Sequence, residues 1–327
     1  MKLRINPILK SEKIKVGLTL GDPAGIGAEI LVKALRKLSY LKKVEFIVIG
    51  DSFVINIFKP KGLDFKLIDL KNVSKNNFSF GKVKKEYAKA SIDYLEKAVQ
   101  MIKQDLLDCL VTLPISKEAT DKIGFKWRGH TDYLAERFKV KDYAMMLLNK
   151  YIRISLVTTH IALKDVSKSL NKDSILKTIF LTEYALINWF NIKKPNLAVC
   201  SLNPHASDGG LMGREEEEII IPAIRIAKRK KKSIFGPFSS DSLFLKAKEG
   251  FFDAVIAMYH DQALIPLKIL DFSSGVNLTL GLPFIRTSPL HGTAFDIAGR
   301  GIASEASLVE AIKLAVKCYI NQKRCET

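Results

Sequence analysis

Apolar residues in this chain fall into two alternating patterns. The stretches "IKVGLTL" from Ile14, "VEFIVIG" from Val44, "LLDCLVTLP" from Leu106, "RISLVTT" from Arg153, "NLAVCSLNP" from Asn196 and "DAVIAMYH" from Asp253 are nearly continuous apolar runs. Each reads as a buried strand. Between them, "AEILVKALRKL", "EYAKASIDYLEKAVQMIKQ", "REEEEIIIPAIRIAKRKK" and "SEASLVEAIKLAVKCYINQK" read as helices. In the second of these, Ala88, Ile92, Leu95, Val99 and Ile102 recur at helical spacing and form one stripe. Apolar strands separated by helices predict an α/β protein with a mostly parallel sheet covered on both faces. With 327 residues the chain suits two domains. It has no repeat and no low-complexity linker to mark their boundary.

Composition narrows the class. No apolar run approaches the ~18 residues of a membrane span, and the first 20 residues lack the apolar core and small-residue cleavage site of a signal peptide. Cys109, Cys200, Cys318 and Cys325 are widely separated, with no CxxC pair, as in a cytoplasmic protein with reduced thiols. The net charge of +18 raises nucleic acid as a partner. The lysines are spread along the whole chain, however, and their densest run, Lys228 to Lys232, closes a predicted helix, where cations suit the dipole. No nucleic-acid-binding module is recognisable. A basic surface would equally attract an acidic, phosphorylated substrate.

The informative feature is where the polar residues sit. In open α/β sheets ligands bind beyond the carboxyl ends of the strands. Here "SLVTT" runs into His160, "AVCSLNP" into His205 and "AVIAM" into His260. Three neutral imidazoles suffice for a divalent metal with an open position. Phosphate binding and strand capping are the alternative uses. Asp261 could orient the ring of a histidine ligand. His130 in "RGHTDYLAERF" lies at a predicted helix start, where Thr131 could cap. "GDPAGIGAE" joins a strand to a helix, either as an anion cradle of backbone N–H groups or as a tight turn with Glu29 in the first helical turn. "GRGIAS" from Gly299 lacks the acidic residue that a dinucleotide fingerprint requires. Further on, "GVNLTLGLPFIRTS" reads as a strand pair carrying Asn277 and Arg286, and the guanidinium suits a carboxylate or phosphate.

Taken in order, "GDPAGIGAE", "VTLPISK", "GHTDYLAE", "TTHIALKDV", "LNPHASDGGLMGREE", "GPFSSDSLF", "YHDQALIPLK" and "GVNLTLGLPFIRTSPLHGTAFDIAGRG" resemble the 4-hydroxythreonine-4-phosphate dehydrogenase family of pyridoxal phosphate biosynthesis, over about residues 14 to 315. The stretch "HGTAFDIAGRGIA" also resembles the cofactor loop of isocitrate and isopropylmalate dehydrogenases. The resemblance implies two α/β/α domains with a cleft between them: residues 1–128 with 266–327, carrying the cofactor loop, and residues 129–265, carrying the metal and the dimer interface. It implies that His160, His205 and His260 bind one divalent metal (Zn, Mg, Co or Mn) at a site shared between the subunits of a homodimer. It implies substrate contacts from His130, Thr131, Lys268, Asn277 and Arg286, and NAD or NADP along His291, Gly292, Thr293, Ala294 and Asp296. Lys268 would either assist proton movement or hold the charged substrate. The implied reaction oxidises 4-phosphooxy-L-threonine at C3, and the resulting β-keto acid loses CO2. Departures from the family pattern are Asp132, where Glu is usual, and Ala28, where Pro is common. They leave open a phosphorylated aldonic acid, such as 4-phospho-threonate, as substrate.

Overall fold

The computed structural model describes residues 13–230 and 233–326. Residues 1–12, where the reading against a signal peptide began, and Lys231 and Lys232 of the basic run lie outside them. The strands, in chain order, are β1 (Ile14–Thr19), β2 (Val44–Gly50), β3 (Lys66–Asp69), β4 (Cys109–Thr112), β5 (Ala144–Leu148), β6 (Arg153–Leu156), β7 (Leu197–Cys200), β8 (Ile234–Phe238), β9 (Ala254–Ala257), β10 (Val276–Leu280) and β11 (Ile285–Pro289). The helices are α1 (Gly27–Lys37), α2 (Ser52–Asn56), α3 (Lys85–Lys103), α4 (Lys117–Asp121), α5 (His130–Arg137), α6 (Val166–Ser169), α7 (Lys172–Asn188), α8 (Ile221–Lys230), α9 (Ser240–Lys248), α10 (His260–Asp271) and α11 (Ala306–Glu326). Among the described residues no helix is long and apolar enough to cross a membrane.

The first compact unit comprises the chain up to Lys139 together with Pro283–Tyr319. Its sheet runs β3-β2-β1-β4-β11, and every pairing in it is parallel. Leu18, Leu20, Ile30, Leu31, Leu35, Tyr87, Tyr94 and Leu95 are fully buried and form the centre of its core. At about 1.5–3 kcal/mol per large apolar side chain, this burial is what fixes the unit. On α3, Ala88, Leu95, Val99 and Ile102 of the expected stripe are buried, while Ile92 is only half-buried. Tyr87 and Tyr94 take the buried centre instead, and Tyr94 can do so because its hydroxyl donates to Asp51.

The second unit comprises Val140–Leu282 and the chain from Ile320. Its sheet runs β10-β5-β6-β9-β7-β8. The β6-β9-β7-β8 portion is parallel, but β5 is antiparallel to both β10 and β6. The expectation of a mostly parallel sheet therefore holds in full for the first unit and only in part here. The cause is local: β5 and β6 are joined by a short turn in which Asn149 Oδ1 accepts from Tyr151 N and Ile152 N, and only antiparallel strands can be joined so briefly. The expected boundaries at 128/129 and 265/266 fall instead at 139/140 and 282/283. Helix α10 packs on β5, β6 and β9, and β10 pairs with β5, so residues 266–282 belong with the second unit.

Candidate active site

In the first unit, the turn after β1 is closed by its own groups. Ala24 N donates to Asp22 Oδ1 at 2.9 Å, Gly25 N to Asp22 O at 3.0 Å and Ile26 N to Thr293 O at 3.0 Å. With these N–H groups engaged and a buried carboxylate among them, "GDPAGIG" forms a tight turn. Gly21 has φ +72° and Gly25 lies so close that a Cβ would stand 3.0 Å from Thr293 O, so the turn packs directly on the segment that follows β11. Burial pushes the Asp22 carboxyl up to about 6, against the hydrogen bonds from Ala24 and Ser116. In that neighbouring segment, Ala294 takes the left-handed conformation at φ +44°. A Cβ at Gly292 would meet nothing within 4 Å, so that side of the backbone is open to a ligand. Burial holds the His291 imidazole below its usual range. Its Nδ1 lies 3.1 Å from Gly292 O, while Nε2 is buried with no hydrogen-bond partner. An orphaned acceptor beside an open backbone fits a cofactor's hydroxyl or amide groups.

Arg286 lies inside β11 and is 2% exposed. Its Nε and Nη2 donate to Thr112 Oγ1, and Nη1 lies 3.4 Å from Thr131 Oγ1. Thr131 is thus inside α5, turned toward Arg286, and does not cap the helix; the cap residue is Gly129. Burial pushes the guanidinium down to about 9, which leaves it charged at neutral pH. Burial, and then the charge of Arg286, hold His130 well below the usual imidazole range. A buried cation and a neutral imidazole therefore stand together at the start of α5. The pair can take an anion on one group and a hydroxyl on the other.

The second unit carries the three strand-end histidines. Each follows the carboxyl end of a strand: His160 comes four residues after β6, His205 five after β7 and His260 three after β9, where it opens α10. The Nδ1 of His260 lies 2.6 Å from Asp261 Oδ1, so Nε2 is the nitrogen that would face a ligand. The rings of His160 and His260 are 5.6 Å apart, centroid to centroid. Two imidazoles on one tetrahedral ion, with each nitrogen about 2.0–2.1 Å from it, place their centroids about 5–6 Å apart, so these two fit a metal. His205 sits in a left-handed turn: His205, Ala206, Ser207 and Asp208 have φ between 46° and 66°, and Gly209 and Gly210 continue it. Left-handed residues other than glycine cost about 1–2 kcal/mol each, and such turns persist where their surroundings impose them. Among the described residues no group of three or more His, Cys, Asp and Glu side chains closes a metal site within one chain.

Lys268 is exposed on α10, a helix and not a strand end, with Nζ 5.7 Å from the Phe272 ring centroid. Asn277 lies in β10, and its Oδ1 is buried without a hydrogen-bond partner. Sequence reasoning missed Asp22, Thr112 and Gln262 and treated Glu215 and Glu216 only as helix residues. Cys109 and Cys200 are buried neutral thiols, pushed up by burial.

The chain matches the family model described as pyridoxal phosphate biosynthetic protein PdxA over residues 26–315. It is 43% identical over 317 residues to the 4-hydroxythreonine-4-phosphate dehydrogenase of Sulfurihydrogenibium sp. (strain YO3AOP1), covering 93% of this chain and 98% of that one. It is 38% identical to the D-threonate 4-phosphate dehydrogenase of Cupriavidus necator, covering 91% and 95%. The crystal structure of 4-hydroxythreonine-4-phosphate dehydrogenase from Klebsiella pneumoniae superposes with a TM-score of 0.83 at 34% identity, covering 95% and 100%. Isocitrate dehydrogenase from Methylococcus capsulatus, at 14% identity and a TM-score of 0.52 over 96% and 88%, shares the fold.

Proposed function

The chain belongs to the PdxA family, and on that premise we propose that it oxidises 4-phosphooxy-L-threonine at C3 with NAD or NADP and a divalent metal. The observation that carries this reading is the buried guanidinium of Arg286, held by Thr112 and Thr131 beside the neutral ring of His130. A buried cation suits a substrate that carries both a carboxylate and a phosphate. When bound, a divalent ion would supply Lewis acidity and a nicotinamide would supply the hydride acceptor. The residues that would hold the ion are His160, His205 and His260, and those that would hold the cofactor are His291 to Ala294 and Asp296.

The chain's own groups do the rest. Arg286 orients the substrate through an anionic group, with Thr131 fixing the guanidinium plane. His130, kept neutral, hydrogen-bonds the substrate without adding a second positive charge. On the second unit, Asn277 offers a buried amide oxygen and Lys268 an ammonium. Oxidation removes a hydride from C3 and the proton of its hydroxyl. The product is a β-keto acid whose ketone accepts the electron pair as CO2 leaves, and a proton then returns to C2. Lys268 is the candidate for that proton traffic.

A second substrate is favoured by the Cupriavidus relative: D-threonate 4-phosphate, which carries a hydroxyl where the other carries an amine. We further propose a homodimer that completes the metal site. His160 and His205 are exposed, their segments carry Leu163 at 73% and Leu211 at 84% exposure, and α10 carries Ile269 at 80%. Ile265, Ile269 and Phe272 form one exposed apolar stripe on and just beyond α10. The test is reduction of NAD and NADP by a panel of 4-phosphorylated hydroxy acids, with and without chelator. Chelator-sensitive turnover of 4-phosphooxy-L-threonine over D-threonate 4-phosphate supports the first reading, the reverse preference supports the second, and no turnover of either defeats both.

A further inference from the structure

The three histidine-bearing segments of the second unit are tied to one another in pairs by side chains other than the histidines themselves. Thr158, two residues before His160, donates through N and Oγ1 to Met258 O at 3.1 and 2.7 Å, and so joins that segment to the one before His260. Gln262, two residues after His260, accepts from Met258 N at 2.6 Å. Its Nε2 donates to Ser201 O at 2.8 Å, joining the His260 segment to the segment leading to His205. Glu215 closes the third side: Ser167 Oγ donates to its Oε1 at 2.6 Å and Asn203 Nδ2 to its Oε2 at 2.8 Å. Ser167 is on α6, just beyond His160, and Asn203 stands two residues before His205.

Glu216 anchors the strained side. It is 1% exposed, and its carboxylate accepts from Leu202 N at 2.7 Å, Asn203 N at 2.8 Å and Asn203 Nδ2 at 2.8 Å. These are the residues at the entrance of the left-handed turn. The turn is closed at its exit by Gly210 N and Met212 N, both donating to the carbonyl of buried Ser207. Gly213 leaves room for this arrangement: a Cβ there would stand 2.6 Å from both Asn203 Nδ2 and Glu215 Oε2. The two glutamates lead into a π-type turn, Glu216–Ile220, a wide helical turn that often accompanies a functional site.

We infer that Thr158, Gln262, Glu215 and Glu216 form a closed hydrogen-bonded frame that positions His160, His205 and His260 for a divalent cation. The inference rests on the metal-binding reading above for its purpose, and on the hydrogen bonds just described for the frame itself. A buried carboxylate that accepts several N–H groups holds them with stronger bonds than a neutral acceptor would. The frame therefore carries the left-handed turn before any ion arrives, and the imidazoles need little rearrangement on binding.

The experiment uses the full-length protein and Zn²⁺, with affinity read by competition against a chromogenic chelator and backbone hydrogen exchange read in metal-free protein. The variants are Glu215→Gln, Gln262→Met and Ser167→Ala, with His205→Ala as reference. Ser167→Ala removes a single hydroxyl and keeps the test alive where a larger change prevents folding. We expect about 10- to 100-fold weaker Zn²⁺ binding in Glu215→Gln and Gln262→Met, with faster exchange between Leu202 and Met212 and an unchanged far-ultraviolet spectrum. Folded variants with wild-type affinity and wild-type exchange overturn the frame, while a loss in His205→Ala alone leaves the metal reading standing without it. If His205→Ala binds Zn²⁺ as wild type does, the metal reading falls, and the exchange data then decide the frame by themselves.

Discussion

Replacing Arg286 by alanine should lower kcat/KM for the phosphorylated substrate by about 30- to 4,000-fold while leaving the protein folded. Loss of one partner of a desolvated charge pair costs roughly 2–5 kcal/mol, and at about 1.4 kcal/mol per factor of ten this gives the stated range. The effect should fall mainly on KM, because an anion held equally in ground and transition states contributes to binding and not to the chemical step. Stability is set by opposed contributions. The variant loses hydrogen bonds from a charged donor to Thr112 and Thr131, at roughly 1.5–3 kcal/mol each. It also relieves the burial of a guanidinium that is 2% exposed and whose proton affinity burial has already lowered. These terms oppose each other, so the melting temperature should move by only a few degrees. Arg286→Lys keeps the charge but not the fork held by Thr112, and should recover only part of the loss. The assay is steady-state kinetics on protein of known folded fraction, beside melting curves with and without substrate. An alanine variant that melts many degrees lower, with kcat/KM per folded molecule within threefold of wild type, would make Arg286 a structural cation and refute the assignment.

Asp22→Asn should stabilise the protein above about pH 6 and have little effect near pH 4. The native carboxyl is raised from 3.8 to about 6, so the folded state holds the proton more tightly than the unfolded state and stability falls as pH rises through that window. The full difference is on the order of 3 kcal/mol, and urea unfolding at several pH values reads it; a pH-independent gap between wild type and variant would contradict it. Lys268→Ala should lower kcat by about 100-fold or more if the ammonium moves a proton, with an unchanged melting temperature, since Lys268 is exposed; a rise in KM alone would assign it to holding substrate. Ile269→Glu places a charge in the exposed stripe on α10 and should shift sedimentation from dimer toward monomer with loss of metal-dependent activity; an active monomer at assay concentration would sink the shared-site reading.

Strands such as β4 and β9 were legible because burial on both faces leaves near-continuous apolar runs, and the glycine turn after β1 was legible as one of two alternatives. The tie-breaker was tertiary: Ile26 N finds Thr293 O, far along the chain. His260 is legible just beyond β9 because "AVIAM" is apolar to its last residue, whereas the turn into α10 and the link that Gln262 makes between two loops show only in the structure. Thr112, which accepts from Arg286, lies 174 residues away, a pairing no local pattern can disclose. The same holds for Glu215 and Glu216, whose acidic run resembles an ordinary helix start until Asn203 and Ser167 are placed against it. The domain boundary escaped for a related reason: residues 266–282 are assigned by the pairing of β10 with β5, which composition does not mark.

The proposed reaction is oxidation at C3 followed by loss of the adjacent carboxylate. It is tested most directly by supplying 4-phosphooxy-L-threonine, isotopically labelled in its carboxylate, with NAD and a divalent metal, and measuring labelled CO2 and NADH together. One CO2 should be released for each NADH formed, both abolished by chelator. NADH without CO2, or neither product while a phosphorylated substrate of another class is oxidised, would contradict it.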